Sequence, residues 1–321
     1  MLPESRFEVQ TKKQLTAADF GVLFNDHLSA FMQKRLELHP LWYRELSYDE
    51  YNHCLLTLVQ TILNPNIVTA GEHRLDDWER GWSENYNNLM SLLTSGAARI
   101  DSIVPRYFGK HDVLRINRTL IKPLSDNFEY YSLCMIVDWL FDTYMRDADA
   151  VYEFGCGTGY HLFRLRNINP SASLYGLDWA TASQKIISNL VQAGFACNIH
   201  GHRFDYFKPD PEFALEKDAI IYTVASLEQV GEKHNAFIDF LLTNKPKLCV
   251  HIEPIGELLD ETHLLDFLSI EYFKKRNYLS GFLLKLRELE AQGKVHILKA
   301  QRSSLGSLFI DGYSIIVWSP I

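Results

Sequence analysis

The chain has 321 residues, 47% hydrophobic and 22% charged, which argues against a disordered or low-complexity polypeptide and leaves room for one large or two unequal domains. A net charge of −8 argues against a surface that tracks nucleic-acid phosphates, and no apolar run approaches membrane-spanning length. The N-terminal segment lacks the apolar centre of a secretory signal, so a cytoplasmic location is expected, and five scattered cysteines without a Cys-x-x-Cys pair predict neither a zinc site nor a disulfide framework.

Residues 1–124 read as an N-terminal α-helical cap or substrate region. Phe20, Leu23, Phe24, Leu28, Phe31 and Leu36 recur at helical spacing and predict a helix over 17–38. A second is predicted over 48–62, closed by Asn64-Pro65, and a third over 75–93, with Trp78, Trp82, Tyr86, Leu89 and Leu93 on one side. The stretch 105–123 reads as irregular and carries Arg106, Lys110, Arg115, Arg118 and Lys122. This basic island is expected to be a solvated loop face, the alternative being a site for an acidic substrate group.

From Ser125 the pattern changes to a helix over 128–145 followed by alternating strands and helices, the signature of a parallel sheet. Strands are predicted at 150–154, 173–177, 196–200, 219–224 and 248–252, with an amphipathic helix over 181–193. Residues 260–292 read as two helices broken near 278–281, a possible helical lid, and two late strands near 295–300 and 313–318 suit an antiparallel edge. The fold class is therefore α/β: a doubly wound, mostly parallel, seven-stranded Rossmann-like sheet over 125–321, plus the helical cap.

Every notable polar residue of the second half falls at the carboxyl end of a predicted strand, where open parallel sheets bind ligands. After the first strand comes Glu153-Phe-Gly155-Cys-Gly157-Thr-Gly159, whose alternating glycines permit a sharp turn and close approach of a ligand to the main chain. Asp178 ends the second strand, beside Trp179, and is placed to accept hydrogen bonds from ribose hydroxyls. Asp205 follows the third strand and is placed to accept from an adenine amino group, with Tyr206 or Phe207 beside the ring. Tyr160 occupies the position where a nicotinamide fingerprint requires a small residue, and the Gly-Lys-Ser/Thr ending of a P-loop is missing.

This constellation resembles the cofactor site of class I S-adenosylmethionine-dependent methyltransferases over roughly residues 128–321. The stretch Trp78-Glu-Arg-Gly-Trp82-Ser-Glu84-Asn85 resembles segments that precede this domain in uncharacterised bacterial members. The resemblance implies S-adenosylmethionine as cofactor, with Gly155, Gly157 and Gly159 passing its methionine portion, Asp178 holding the ribose and Asp205 meeting adenine.

Glu228 and Gln229 follow the fourth strand, where this fold places groups near the transferred methyl, and the sequence there is not the motif of enzymes that methylate exocyclic amines of bases. After the fifth strand His251 and Glu253 stand two residues apart on one strand face. Glu228, His251 or Glu253 is the expected base, and no metal is expected from their spacing. Trp82, Tyr86, Gln229, Arg276 and Tyr278 are candidate substrate contacts. The expected activity is methyl transfer to a hydroxyl or amine of a small-molecule acceptor, with no nucleic-acid or membrane partner. A catalytically silent cofactor-binding scaffold or regulatory subunit is the alternative, and oligomeric state is not legible.

Overall fold

The computed structural model describes residues 11–105, 109 and 112–321, so Arg106 and Lys110 of the basic island and the first ten residues lie outside the described residues. Strand β1 (Lys13–Gln14) leads into α1 (Ala17–Phe24) and α2 (Ala30–Leu38), where one helix was predicted. The break is Asn25, left-handed at φ 49°, and Ser29 then caps α2 by accepting from the Met32 amide. Strand β2 (Trp42–Glu45) precedes α3 (Tyr48–Leu63), whose start is a capping box of Ser47 and Glu50. Next comes α4 (Leu75–Thr94), matching the predicted third helix.

The stretch predicted to be irregular contains a hairpin of β3 (Leu114–Ile116) and β4 (Thr119–Pro123). Asn117 and Arg118 turn it at φ 45° and 62°, the mirror-type geometry that matches the twist of paired strands. An Asn-Arg pair lacks the glycine that usually marks such a turn, so the strands escaped a pattern reading.

Helix α5 (Phe128–Leu140) opens the second half, which continues β5 (Ala150–Phe154), α6 (Tyr160–Arg166), β6 (Ser173–Asp178), α7 (Thr181–Gln192), β7 (Ile199–Arg203) and β8 (Ile220–Val224). Then follow α8 (Asn235–Asn244), β9 (Leu248–Glu253), α9 (Leu264–Arg276), α10 (Phe282–Ala291), β10 (Val295–Gln301), β11 (Leu305–Ser307) and β12 (Ser314–Pro320). Strand β7 begins three residues later than predicted because Asn198, at φ 55°, still belongs to the turn.

Seven strands form one sheet in the order β10-β12-β9-β8-β5-β6-β7. Strands β5 to β9 run parallel, while β12 lies antiparallel to both β9 and β10. The order reverses at β5, which pairs with β6 on one side and β8 on the other, so the ligand crevice of an open sheet falls beyond their carboxyl ends. Alternate residues feed two apolar layers: Val151, Tyr222, Val250 and Val317 enter one, and Phe154, Ile221, Cys249 and Trp318 the other.

A smaller antiparallel sheet has the order β1-β2-β4-β3-β11. Its last member comes from the far end of the chain, with Leu305 opposite Ile116 and Ser307 opposite Leu114. The boundary expected at 124/125 passes between β4 and α5, and β11 crosses back over it. No helix among the described residues is long and apolar enough to cross a membrane.

Candidate functional site

The loop after β5 is folded back on β6. The amides of Gly155 and Cys156 donate to the Leu177 carbonyl at 2.7 and 3.0 Å, and the Gly157 amide donates to Asp178 Oδ2 at 2.8 Å. Gly155 and Gly157 have φ of 70° and 54°, the region where a side chain is strained. A Cβ on Gly155 would lie 2.4 Å from the Ser226 Cβ, and one on Gly157 would lie 2.8 Å from the Trp82 ring. Gly159 differs: its missing Cβ makes room for Ile187 of α7, so it serves helix packing and does not border the cavity.

Beyond the strand ends lies a cavity of about 350 Å³. Asp178 and Trp179 border it, and the Trp179 ring stacks on Phe207 with centroids 6.0 Å apart and 27° between planes. Asp178 also accepts from the Ala180 amide at 2.9 Å, yet burial pushes its carboxyl up to about 6. Tyr206 borders the cavity and its hydroxyl meets Ser226 Oγ at 3.0 Å. Asp205 is placed otherwise than predicted: its carboxylate accepts the Phe207 amide at 2.8 Å in a local turn and is not part of the cavity wall.

Glu153 lies at the cavity floor, only 2% exposed. Its Oε1 shares a 2.9 Å hydrogen bond with His161 Nδ1, and the buried Tyr222 hydroxyl also acts on the carboxylate. Burial raises the Glu153 carboxyl. The sequence reading passed over His161, which also borders the cavity. The available signal was its position in the first turn of α6, which returns a side chain to the strand end that carries Glu153.

Across the cavity stands the turn after β8, a short 3-10 helix at Leu227–Val230. Glu228 and Gln229 both border the cavity, with Gln229 Nε2 donating to Glu228 Oε1 at 3.0 Å. Gln229 Oε1 is buried without a partner. Burial pushes the Glu228 carboxyl up to about 8, reinforced by the nearby Glu253 charge and opposed by Gln229, Arg276 and Tyr278.

The other two candidate bases do not reach the cavity. Glu253 is fully buried and accepts the amides of Ser226 and Leu227 at 3.1 and 3.0 Å through Oε1, and that of Glu228 at 3.1 Å through Oε2. It therefore holds the turn that presents Glu228. His251 is likewise fully buried, its Nδ1 on Thr223 Oγ1 at 3.0 Å and its Nε2 accepting from Trp318 Nε1 at 3.0 Å. With Phe237, Phe282 and Trp318 around it, burial drops its pKa to about 3 and the ring is neutral. Same-face spacing on β9 was right for the pair, but that face is covered by α8 and α10.

The remaining walls come from distant segments. Tyr278 and Tyr272 border the cavity, while Arg276 stands behind them with its guanidinium 5.1 Å from the Tyr278 ring centroid. Ser307 ends β11, and Phe309, Ile310, Gly312 and Tyr313 come from the loop between β11 and β12. That loop is pinned by Arg115, which donates to the Leu308 carbonyl at 2.8 Å, the Leu265 carbonyl at 2.8 Å and Ser269 Oγ at 2.6 Å. Arg115 is 3% exposed, so it is neither solvated nor open to an acidic substrate group. Arg118 pairs with Asp266 at 3.2 Å.

Helix α4 closes the last side. Trp78 and Trp82 border the cavity and stack at 5.6 Å, whereas Tyr86 faces Lys185 outside it. Glu79 caps the start of α7 by accepting the Thr181 and Ala182 amides at 2.6 and 3.2 Å. Among the described residues no group of three or more His, Cys, Asp or Glu side chains is gathered as for a metal ion.

Sheet order, switch point and glycine loop place the cavity at the ligand crevice of a Rossmann-like open sheet. Neither a protein-family model nor a curated protein matches the chain. Among solved structures the chain is similar to the magnesium protoporphyrin IX methyltransferase ChlM from Synechocystis PCC 6803 with bound SAH (TM-score 0.44, 15% identity, 59% of this chain and 81% of that one). It is also similar to the O-methyltransferase NcsB1 from neocarzinostatin biosynthesis, in complex with SAM and a hydroxy-methyl naphthoic acid (TM-score 0.40, 14% identity, 75% and 69%). A third is the small RNA methyltransferase HEN1 (TM-score 0.44, 16% identity, 59% and 25%). Likeness this distant carries no argument about function.

Proposed function

We propose that the chain is an S-adenosylmethionine-dependent methyltransferase that acts on a hydroxyl or amine of a small-molecule acceptor. The observation that carries this reading is a single cavity at the switch point, with the glycine loop and Asp178 on one wall and Glu228 on the other. The residues fit the cofactor. A Cβ would fill the cradle at Gly155 and Gly157, the Glu153 carboxylate at the cavity wall suits an ammonium, and Trp179 with Phe207 suits a purine face. The third glycine fits less directly, because Gly159 packs on Ile187.

When bound, S-adenosylmethionine supplies an electrophilic methyl group on a positively charged sulfur. The chain's own contribution is alignment and proton handling. Gly155 and Gly157 let a ligand lie against the main chain, and Asp178 offers carboxylate oxygens to ribose hydroxyls. Glu228 takes the acceptor's proton, held in place by the backbone bonds to Glu253. Trp78 and Trp82 of α4 act as a cap that excludes water, with Tyr272, Tyr278 and Phe309 as apolar walls for the acceptor. A cavity of only about 350 Å³ favours a compact acceptor over a polymer.

Calorimetric titration with S-adenosylmethionine and S-adenosylhomocysteine tests the cofactor. One-to-one binding of both, with no heat from NADH or ATP, is expected. Binding of NADH instead overturns the assignment. An acceptor screen that follows release of S-adenosylhomocysteine then separates an enzyme from a silent cofactor-binding subunit.

A further inference from the structure

The cavity is lined with acids. Glu129, Glu153, Asp178 and Glu228 border it, and among the described residues its walls include no lysine or arginine. Beside them Gln229 carries a buried Oε1 without a partner. Such a site is short of positive charge, and the ligand proposed above brings one.

Glu228 is the acid whose state that charge governs. It sits on β8's turn, and β8 is the immediate neighbour of β5, whose loop carries the glycines. The two turns touch: Ser226 Oγ donates to the Phe154 carbonyl at 2.9 Å, and only the missing side chain of Gly155 admits Ser226. The nucleoside end of the crevice, Asp178 with Trp179 and Phe207, lies on the opposite side of β5. A ligand with its ribose at Asp178 and its tail over the glycines thus spans toward Glu228.

The groups facing Glu228 are Glu253 from β9, Gln229 on its own turn, and Arg276, Tyr278 and Tyr272 from the end of α9 and beyond. Glu253 cannot move away, because the Ser226, Leu227 and Glu228 amides hold it. Burial pushes both carboxyls of this pair up, Glu253 to about 7 and Glu228 to about 8, so before a cation arrives Glu228 is the one that holds its proton more tightly at neutral pH. A protonated carboxyl cannot accept the acceptor's proton.

We propose, resting on the methyltransferase reading, that Glu228 is a base switched on by its cofactor: a positive charge delivered between the glycine loop and the Ser226 turn expels the Glu228 proton, and a neutral nucleoside does not. The cycle balances. Glu228 loses a proton to solvent as the cation enters. In turnover the acceptor's lone pair forms the bond to the methyl carbon, the carbon–sulfur pair stays on sulfur, and the acceptor's proton passes to Glu228. The charge is then gone, so Glu228 retains that proton and is back in its resting state. The device confines an active base to the loaded enzyme.

The test is calorimetry of the full chain at pH 7 in two buffers of different ionisation enthalpy, which counts protons released on binding. The probes are S-adenosylmethionine, S-adenosylhomocysteine and sinefungin, a nucleoside analogue with an ammonium near the sulfonium position. Each cation is expected to release roughly one proton more than the neutral compound, and its affinity to increase by up to about tenfold for each unit that pH is raised toward 8, levelling off above it. Glu228→Gln is expected to abolish the difference. Equal proton release by all three in the unmodified protein overturns the proposal, and needs no variant to fold. Persistence of the difference in Glu228→Gln also overturns it, by moving the effect to another acid. Failure of every nucleoside to bind overturns the methyltransferase reading and this proposal together, whereas binding without a proton difference overturns this proposal alone.

Discussion

The two walls of the cavity are built by different means. The glycine-loop wall is local: one strand end, one glycine loop and one acid after the next strand, tied by the Gly157–Asp178 bond of 2.8 Å. The opposite wall is assembled from the β8 turn, the end of α9, the loop after β11 and helix α4, residues more than two hundred positions apart. The first depends on backbone shape and the second on side chains brought together by packing. A local wall tolerates little change in its glycines, and an assembled wall is only as good as the buried groups that hold its pieces.

Four substitutions sharpen this contrast. The largest effect is expected from Glu253→Ala, which leaves the amides of Ser226, Leu227 and Glu228 without an acceptor. Losing a buried carboxylate with these partners should cost about 4 kcal/mol, read as a lower denaturant midpoint. Unchanged stability would mean that Glu253 does not hold the assembled wall.

Next comes Gly157→Val, which sets a branched side chain at φ 54° with its Cβ 2.8 Å from the Trp82 ring. Strain and clash together should weaken S-adenosylmethionine binding by about 3 kcal/mol, more than ~100-fold. Normal affinity would show that the ligand does not pass this loop.

The third prediction concerns pH. Glu228 titrates at about 8 in the folded chain, above its ordinary 4.5. A raised carboxyl binds its proton more tightly when folded, so stability falls as pH rises across that window. The unmodified protein should lose about 3 kcal/mol more than Glu228→Gln between pH 5 and pH 9, in chemical denaturation without ligand. Parallel pH profiles would place the Glu228 carboxyl in solvent.

The smallest effect is expected from Glu79→Ala, which removes the acceptor for the Thr181 and Ala182 amides. Loss of this cap should cost about 1 kcal/mol and speed cofactor release modestly, as stopped-flow dissociation would record. A release rate unchanged despite lower stability would mean that α4 does not cover the ligand.

Sequence alone determined the parts of this protein whose cause lies within one strand and its turn. The alternation of strands and helices, the glycine loop after Glu153 and the acid at Asp178 are short-range patterns, and each recurs in the structure where expected. The β3–β4 hairpin was hidden because its turn residues carry no glycine, and β11 because three residues are too few to show a period. Only the tertiary structure decided which polar residues meet the cavity. Strand alternation puts His251 and Glu253 on one face, but the helices covering that face come from elsewhere, so both are sealed in while Glu228 stays open. The same holds for Asp205, whose carboxylate accepts the Phe207 amide of its own turn, and for His161, drawn to the crevice by a short helix, whereas Trp82, a candidate from the sequence, does border the cavity. Periodicity reports which residues share a face, and packing alone reports what lies against it.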